Sequence, residues 1–206
     1  MSEEVMQKPV EKQESLGHEP GFWSKYVFPT DHKMIGLQYL WTGLLMAVVG
    51  GFMSYVFRMQ VTFPGDAVPG YGVVGAGEYN ALVTNHGTIM IFWVAMPILI
   101  AAFGNILIPL MIGCDDMVFP RLNRLSYQIF FLSTVVLLAA FFVPGGAFGG
   151  AWTAYPPLSA RAEYHLTPWG ATFWLLAVAL EFVAFLLGGI NFLTTTMNSR
   201  APGMKW

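Results

Sequence analysis

The residue of this sequence best suited to bind a cofactor is a histidine inside a long apolar segment. His86 stands in VTNHGTIMIFW, which contains no other ionisable side chain. Neutral imidazole is a good axial ligand for haem iron, and Gly87 has no side chain that would keep a flat macrocycle away from the backbone. A histidine hydrogen-bonded to a neighbouring helix is the alternative interpretation, and the motif alone leaves both open.

Two further ionisable residues mark the ends of the first apolar segment. Arg58 ends it, and its guanidinium stays charged at any accessible pH. The side chain could reach lipid phosphates, or it could turn inward and hydrogen-bond a buried polar group such as a haem substituent. His32, in TDHKMIG, begins the segment beside Thr30 and Asp31, either of which can cap a helix. We interpret His32 as an interfacial histidine.

Amides and one carboxylate recur toward one end of the later apolar segments. Asn105, Asn123 and Asn191 could hold ordered water, and Asp116 stands where the second segment ends. A carboxylate at a membrane mouth, followed inward by such amides, would admit protons. Taken singly, each residue could instead cap a helix, form a turn or hydrogen-bond between helices.

Glu181 is an acidic residue in the middle of the last apolar segment. No charged residue occurs in 164–180 or 182–199. A carboxyl group in such a place must be protonated, paired or in contact with water. It could relay protons, pair with a cation on another helix, or stay neutral and hydrogen-bonded across helices. We expect the last of these.

The elements that carry these residues are membrane-spanning helices. Charged residues make up 11% of the chain, less than half of the roughly 25% found in soluble domains. Residues 34–57, 79–114 and 125–160 contain no charge, and about 20 apolar residues cross a bilayer. Such segments are too long for β-barrel strands. We therefore predict an all-α integral membrane protein with a polar tail at 1–22 and transmembrane helices at about 34–57, 79–112, 125–143 and 168–197.

The basic residues predict the orientation of these helices. With the amino terminus in the cytoplasm, only Arg58 and Arg161 fall on the opposite side, whereas the cytoplasmic side receives Lys8, Lys12, Lys25, Lys33, Arg121, Arg124, Arg200 and Lys205. This is a positive-inside bias, and it places both termini in the cytoplasm. The net charge of -2 gives no basic surface, which argues against nucleic acid as a partner.

Six motifs in order resemble subunit I of the cytochrome c oxidases, which are haem-copper terminal oxidases. They cover nearly all of the chain after Phe22 and read TDHKMIGLQYL, VTNHGTIMIF, FGNILIPLMIG, DMVFPRLN, AWTAYPPL and GGINFLTTTMNSRAPGM. The resemblance implies the first four helices of a twelve-helix bundle that reduces oxygen to water in aerobic respiration. It also implies cytochrome c as electron donor and oxidase subunits II and III as partners, and we expect a bacterial inner membrane as the location.

The resemblance implies roles for individual residues. His86 matches the axial ligand of the low-spin haem, Arg58 the arginine that hydrogen-bonds the formyl group of haem A, and Trp152 a tryptophan on the propionate side. The implied proton pathway has its mouth at Asp116 and is lined by Asn105, Asn123, Asn191 and Tyr39. Haem A is therefore the expected cofactor.

The last span departs from the family at three positions. Ala184 and Phe185 replace serines near the upper proton path, so the upper route should differ or be narrower. Glu181 replaces a small residue, and the resemblance gives it no role.

Four positions bear on the electron donor. Quinol-oxidising relatives carry Arg, Asp, His and Gln around a quinone site, where this chain has Val49, Met53, Glu78 and Ala81. This difference favours cytochrome c over quinol. A quinol oxidase of the same superfamily is one alternative, and a non-redox helical transporter or scaffold is another.

The resemblance also implies that much of the catalytic apparatus lies beyond the fourth span. The family's second axial histidine, copper-ligating histidines and second proton channel have no counterpart in these 206 residues. We therefore expect the second haem and the copper on the remaining helices of the subunit, and no oxygen reduction by this chain alone.

Overall fold

The computed structural model describes residues 21–161 and 168–205, apart from the side chain of Pro168. Within these ranges the chain is helical and has no β-strand, and four helices are long and apolar enough to cross a membrane. They are α1 (His32–Thr62), α2 (Ala76–Ile112), α3 (Pro120–Ala139) and α4 (Pro168–Asn198). The prediction of an all-α membrane protein with four spans is confirmed. Residues 1–20 of the predicted polar tail lie outside the described residues.

The helix ends extend past the apolar segments in places. α1 continues to Thr62 where the prediction ended at 57, and α3 begins at Pro120 where the prediction began at 125. Hydropathy marks only the apolar part of a helix, whereas backbone hydrogen bonding continues into the interface. Asp31 caps α1, because its carboxylate accepts a hydrogen bond from the Met34 backbone N–H at 3.2 Å.

α2 has two π-helical stretches in its centre, Ile89–Ala95 and Pro97–Ala102. Pro97 has no N–H to donate, and its ring would collide with the carbonyl group one turn earlier in a regular α-helix. Wider turns relieve that collision, and packed neighbours make such turns tolerable in a membrane helix. The helix returns to α geometry at Phe103–Ile112 and ends at Gly113, where φ is 71°.

Glycines at seven-residue intervals bring α1 against α2. A Cβ atom on Gly36 would lie 3.0 Å from the Ala102 carbonyl oxygen, and one on Gly43 would lie 2.7 Å from a side-chain carbon of Ile98. Gly50 continues this face. Small residues permit such close approach between membrane helices. This contact fixes the position of α1 along the axis of α2. Both helices contribute to the site described below.

α4 packs most extensively against α3, and the buried residues of both helices follow a three- and four-residue spacing. This spacing places them on one face of each helix. The buried face of α3 comprises Asn123, Ser126, Phe130, Ser133, Thr134 and Leu137. The buried face of α4 comprises Trp174, Ala177, Glu181, Ala184, Asn191 and Thr195. The two faces enclose an interior that becomes polar toward the start of α3 and the end of α4.

The segment between α3 and α4 packs against the end of the bundle that is opposite the polar interior. The Phe148 ring lies 4.9 Å from that of Trp174, and the Phe148 carbonyl accepts a hydrogen bond of 2.9 Å from the Asn85 side chain. The Ala151 N–H donates to the Thr84 hydroxyl at 3.0 Å. These contacts hold the backbone around residue 152 against α2.

Candidate functional site

His86 is held by its neighbour on α1. Its Nδ1 lies 2.8 Å from the carbonyl oxygen of Gly50. Because a carbonyl oxygen can only accept, Nδ1 carries the proton, and in the neutral ring the lone pair is therefore on Nε2. The half-buried ring meets Phe57 edge-on at a centroid distance of 5.4 Å. A backbone carbonyl bonded to one ring nitrogen is the usual support of a histidine that ligates metal through the other.

Trp152 contacts Gly87, the residue that follows His86 in the chain. A Cβ atom on Gly87 would lie 3.0 Å from Cδ1 of Trp152. The indole also packs against Phe92, with ring centroids 6.3 Å apart. The interpretation that Gly87 leaves open space for a macrocycle is therefore wrong, because the indole occupies that space. Gly87 instead allows Trp152 to reach α2.

Arg58 is exposed and follows Phe57, the ring that contacts His86. It lies roughly 12 Å along α1 from Gly50, at the rise of an α-helix. Among the residues that the structure describes, Arg58 forms no ion pair. The guanidinium is thus available to an anionic or polar group on the Phe57 side of His86.

At the other end of the bundle, His32 and Asp116 form a hydrogen-bonded pair. The distance from Nδ1 of His32 to Oδ1 of Asp116 is 3.0 Å, and the same oxygen accepts the Met117 N–H at 2.7 Å. His32 is 2% exposed, so the interpretation of an interfacial histidine is wrong. Asp116 remains partly exposed, so water can reach its carboxylate.

A connected set of buried hydrogen bonds lies inward of this pair. The Asn123 side-chain amide donates to Oδ1 of Asn105, and the Asn105 amide donates to the Ala101 carbonyl at 2.8 Å. The Tyr39 hydroxyl donates to Ser126 Oγ at 3.0 Å, and Ser126 Oγ donates to the Asn123 carbonyl at 2.7 Å. Polar side chains of α1, α2 and α3 are thus linked by hydrogen bonds in the interior of the bundle.

Asn191 enters this set through the backbone of the α2–α3 loop. Its Oδ1 accepts the Phe119 N–H at 3.0 Å, and its amide contacts the Phe119 carbonyl at 3.4 Å. The same carbonyl accepts the Asn123 backbone N–H at 3.0 Å. Thr195 adds a hydrogen bond of 3.1 Å from the Val118 N–H. Asn191 therefore fixes the start of α3 and, with it, the position of Asn123.

A small cavity of about 40 Å³ lies beside Asn105. Its polar lining comes from Tyr39, Asn105 and Ser126, and its wall on α4 runs from Ala184 to Phe192. Such a space holds at least one water molecule when two to four polar groups face it. Asn105, which accepts the hydrogen bond from Asn123, therefore borders a region that water can occupy.

Glu181 lies one turn of α4 beyond Ala184, with its side chain fully buried. Neither of its carboxyl oxygens has a hydrogen-bond partner within 21–161 or 168–205. The expectation of a hydrogen bond across helices is therefore wrong for the described part of the chain.

Two residues were not assigned to the polar set from the sequence. Ser126 links Tyr39 to Asn123, and His32 holds Asp116. Ser126 could have been found from its position one turn after Asn123 on the same helix face. The pairing of His32 could not, because its partner is 84 positions away.

A family model described as Cytochrome C and Quinol oxidase polypeptide I matches residues 34–206. The chain belongs to this family. It is 38% identical to the alternative cytochrome c oxidase subunit 1 of Bradyrhizobium diazoefficiens, over 92% of its own length and 31% of that relative. It is 40% identical to the cytochrome c oxidase subunit 1 of Thermostichus vulcanus, over 97% of its own length and 35% of the relative. The haem-copper oxidase subunit I+III of Aeropyrum pernix is 42% identical over 88% of this chain and 21% of its own length.

Membership in the oxidase subunit I family confirms the resemblance drawn from the six motifs. The chain spans about a third or less of the length of these relatives. The family implies haem and copper as cofactors, and the four apolar helices make the chain a multi-pass membrane protein. Within the described ranges, no three His, Cys, Asp or Glu side chains are grouped to hold a metal ion. The chemistry of His86 fits haem, which needs one axial imidazole from this side.

Proposed function

We propose that this chain forms the low-spin haem side and the proton entrance of a cytochrome c oxidase that reduces oxygen to water. The observation that carries the haem assignment is the hydrogen bond between Nδ1 of His86 and the Gly50 carbonyl. That bond orients the ring and leaves Nε2 as the nitrogen with a lone pair for iron.

The residues around His86 support the same assignment. Haem supplies reversible one-electron transfer when bound. Phe57 limits rotation of the imidazole. As the resemblance implies, Arg58 would offer its guanidinium to the formyl group of haem A, and Trp152 would lie on the propionate side. A charge-assisted hydrogen bond from a guanidinium withdraws electron density from a ring substituent, and it thereby tunes the potential of the iron.

The proton entrance is supported by the arrangement at the other end of the bundle. Asp116, which is hydrogen-bonded to His32, takes protons from water at the surface. The amides of Asn105 and Asn123 hydrogen-bond ordered water farther into the bundle. Tyr39 and Ser126 continue the polar lining to the small cavity. Asn191 holds the loop that positions Asn123.

Cytochrome c is the proposed donor in preference to quinol. Among the four positions that distinguish quinol oxidases, Glu78 is engaged in capping α2, where its Oε2 accepts the Gly75 N–H at 3.0 Å. Val49 and Met53 are apolar, and Met53 is buried. The side chains of Val49, Met53 and Ala81 offer no hydrogen bond to a quinone head group.

The remaining partners follow from the same proposal. They are the other helices of subunit I, which would carry the second haem and copper, oxidase subunits II and III, and the lipid bilayer. The bias of basic residues supports cytoplasmic termini in a bacterial inner membrane.

The test uses the assembled oxidase that contains this chain. His86→Ala should abolish the absorption signal of the low-spin haem, whereas Asp116→Asn should slow oxygen consumption and leave that signal intact. Extraction of the haem should yield type A. A His86→Ala enzyme with a normal low-spin spectrum would overturn the haem assignment, and a purified complex without any low-spin haem would favour a non-redox membrane protein.

A further inference from the structure

Glu181 is buried near the middle of α4. Its side chain is 0% exposed, and both carboxyl oxygens are buried without a partner in the described part of the chain. A carboxyl group taken out of water without a hydrogen bond is unfavourable in either protonation state. The position therefore needs a function or a mobile partner to explain it.

An ion pair with a helix outside this chain does not explain Glu181. The described helices already cover the residue completely, and Ala177 and Ala184, one turn away on either side, are also buried. A cationic side chain from elsewhere would have to displace the packing between α3 and α4 to reach the carboxyl group. A small neutral partner such as water needs no such rearrangement.

The small cavity offers that partner. Ala184 forms part of its wall one turn from Glu181 on α4, and Tyr39 lines the cavity from α1. At about 40 Å³ the cavity has room for roughly two or three water molecules. On α3 the Tyr127 hydroxyl is already hydrogen-bonded to Thr42 at 3.0 Å.

Polar side chains from several helices lie between Asp116, at the mouth, and Glu181. Residues 182–190 of α4 contain no polar side chain, and at the rise of an α-helix Glu181 lies roughly 15 Å from Asn191. Over that distance the polar groups come from the neighbouring helices, as Asn123 and Ser126 on α3, Asn105 on α2 and Tyr39 on α1. Glu181 is the next buried ionisable group after them.

We propose that Glu181 is a proton-carrying residue at the inner end of this polar series. The carboxylate accepts a proton from a hydrated proton in the cavity, which forms one O–H bond and leaves a neutral water molecule. It later releases the same proton to water on the way to the site of oxygen reduction, and no electron is transferred. The inference rests on the proposed oxidase function, but it assigns a carboxyl group that the proton entrance alone does not require.

The test compares Glu181→Gln with wild type in the assembled oxidase, driven by an artificial electron donor. The substitution keeps the size and hydrogen-bonding capacity but cannot carry a proton. Oxygen consumption should fall by about tenfold or more, with the low-spin haem spectrum unchanged. Glu181→Asp, which keeps the carboxyl group, should recover part of the rate. Asp66→Asn, at an exposed acid in the α1–α2 loop, is the matched control and should turn over like wild type.

Infrared difference spectroscopy detects protonation of the carboxyl group directly. A residue with a purely structural role would give no band that changes during turnover. The wild-type enzyme should show a carbonyl stretching band of a protonated carboxyl group that responds to turnover, and Glu181→Gln should lack it. If Glu181→Gln does not assemble, the same band should shift in Glu181→Asp. A rate equal to wild type in Glu181→Gln, or a carboxyl band unaltered in either variant, overturns the inference.

The two proposals fail in different ways. An oxidase in which Asp116→Asn is slow and Glu181→Gln is normal would retain the proposed function and lose only the role of Glu181. A wild-type complex without low-spin haem or oxygen consumption would remove both.

Discussion

The imidazole of His32 and the carboxylate of Asp116 are joined by a hydrogen bond of 3.0 Å between the first turn of α1 and the loop that connects α2 to α3. His32 is 2% exposed, whereas the Asp116 side chain is 38% exposed, so a buried ring holds an acid that water can reach. The Met117 N–H donates to the same carboxylate oxygen. These two hydrogen bonds therefore fix the Asp116 carboxylate at the end of the bundle where the amides of Asn105 and Asn123 lie.

His32→Phe removes the donor to Asp116 and keeps a ring of similar size. We expect the assembled oxidase to lose about 1–2 kcal/mol of stability and to turn over several-fold more slowly, because Asp116 is no longer held at the mouth. The loss of rate should be smaller than in Asp116→Asn, which removes the carboxylate itself. Oxygen consumption and thermal unfolding measure the two effects. Lys33→Gln, at the exposed neighbouring position, is the control, and a His32→Phe enzyme with the wild-type rate would contradict the prediction.

Tyr39→Phe removes the hydroxyl that donates to Ser126 in the interior of the bundle. The Ser126 oxygen then loses a buried donor, and we expect a loss of about 1 kcal/mol in the free energy of unfolding. Tyr55→Phe is the matched control, because its hydroxyl makes a longer bond of 3.3 Å to the Pro69 carbonyl at an exposed position. Its effect should be clearly smaller in the same unfolding measurement. Equal losses in the free energy of unfolding for Tyr39→Phe and Tyr55→Phe would show that the buried hydrogen bond stabilises the protein no more than the exposed one.

Gly36→Ala tests the close contact between α1 and α2. The added methyl group would lie 3.0 Å from the Ala102 carbonyl oxygen and from a side-chain carbon of Ile106, and a backbone oxygen in a packed helix cannot move far. We expect a destabilisation of about 1–3 kcal/mol, measured by denaturant unfolding of the assembled protein. Gly51→Ala, on the same helix with nothing within 4 Å, should instead be neutral or slightly stabilising, since alanine favours helix. A Gly36→Ala protein as stable as Gly51→Ala would show that the helices are not in contact there.

The part of this structure that could be predicted from the sequence is the part that the bilayer dictates. A charge-free stretch such as 79–114 must satisfy its backbone groups internally, so a helix follows from composition alone. The placement of Asp116 with Asn105 and Asn123 at one end was predictable for a related reason. Helices that alternate in direction bring the end of one span and the start of the next to the same side of the membrane.

The errors concern contacts between distant parts of the chain. His32 looked interfacial because nothing near it in sequence shows that Asp116 will cover it. The space beside Gly87 looked open because Trp152, which fills it, comes from the loop between α3 and α4. The π-helical turns around Pro97 depend on which neighbours pack there, and hydropathy does not record them. Such contacts depend on tertiary packing, whereas the spans depend only on local composition.

Cys114, the chain's single cysteine, allows a test of the orientation proposed from the basic residues. It follows Gly113 at the end of α2, in the short loop before α3, and it is partly exposed. Partial burial raises the pKa of the Cys114 thiol, and the nearby carboxylates of Asp115 and Asp116 act in the same direction, although a backbone hydrogen bond opposes them. Because the thiolate is the reactive form, labelling should be slow at neutral pH and should quicken by about tenfold per pH unit while the thiol is mostly protonated.

A maleimide that cannot cross membranes should therefore label Cys114 in inside-out vesicles at mildly alkaline pH and leave it unlabelled in intact cells. Cys114→Ser combined with Asp66→Cys moves the thiol to the exposed loop between α1 and α2, which lies on the opposite side of the membrane, and this control should show the reverse pattern. The label on this chain is measured after separation of the subunits. Labelling of Cys114 from outside intact cells would invert the orientation, and the Asp116 mouth would then face away from the cytoplasm.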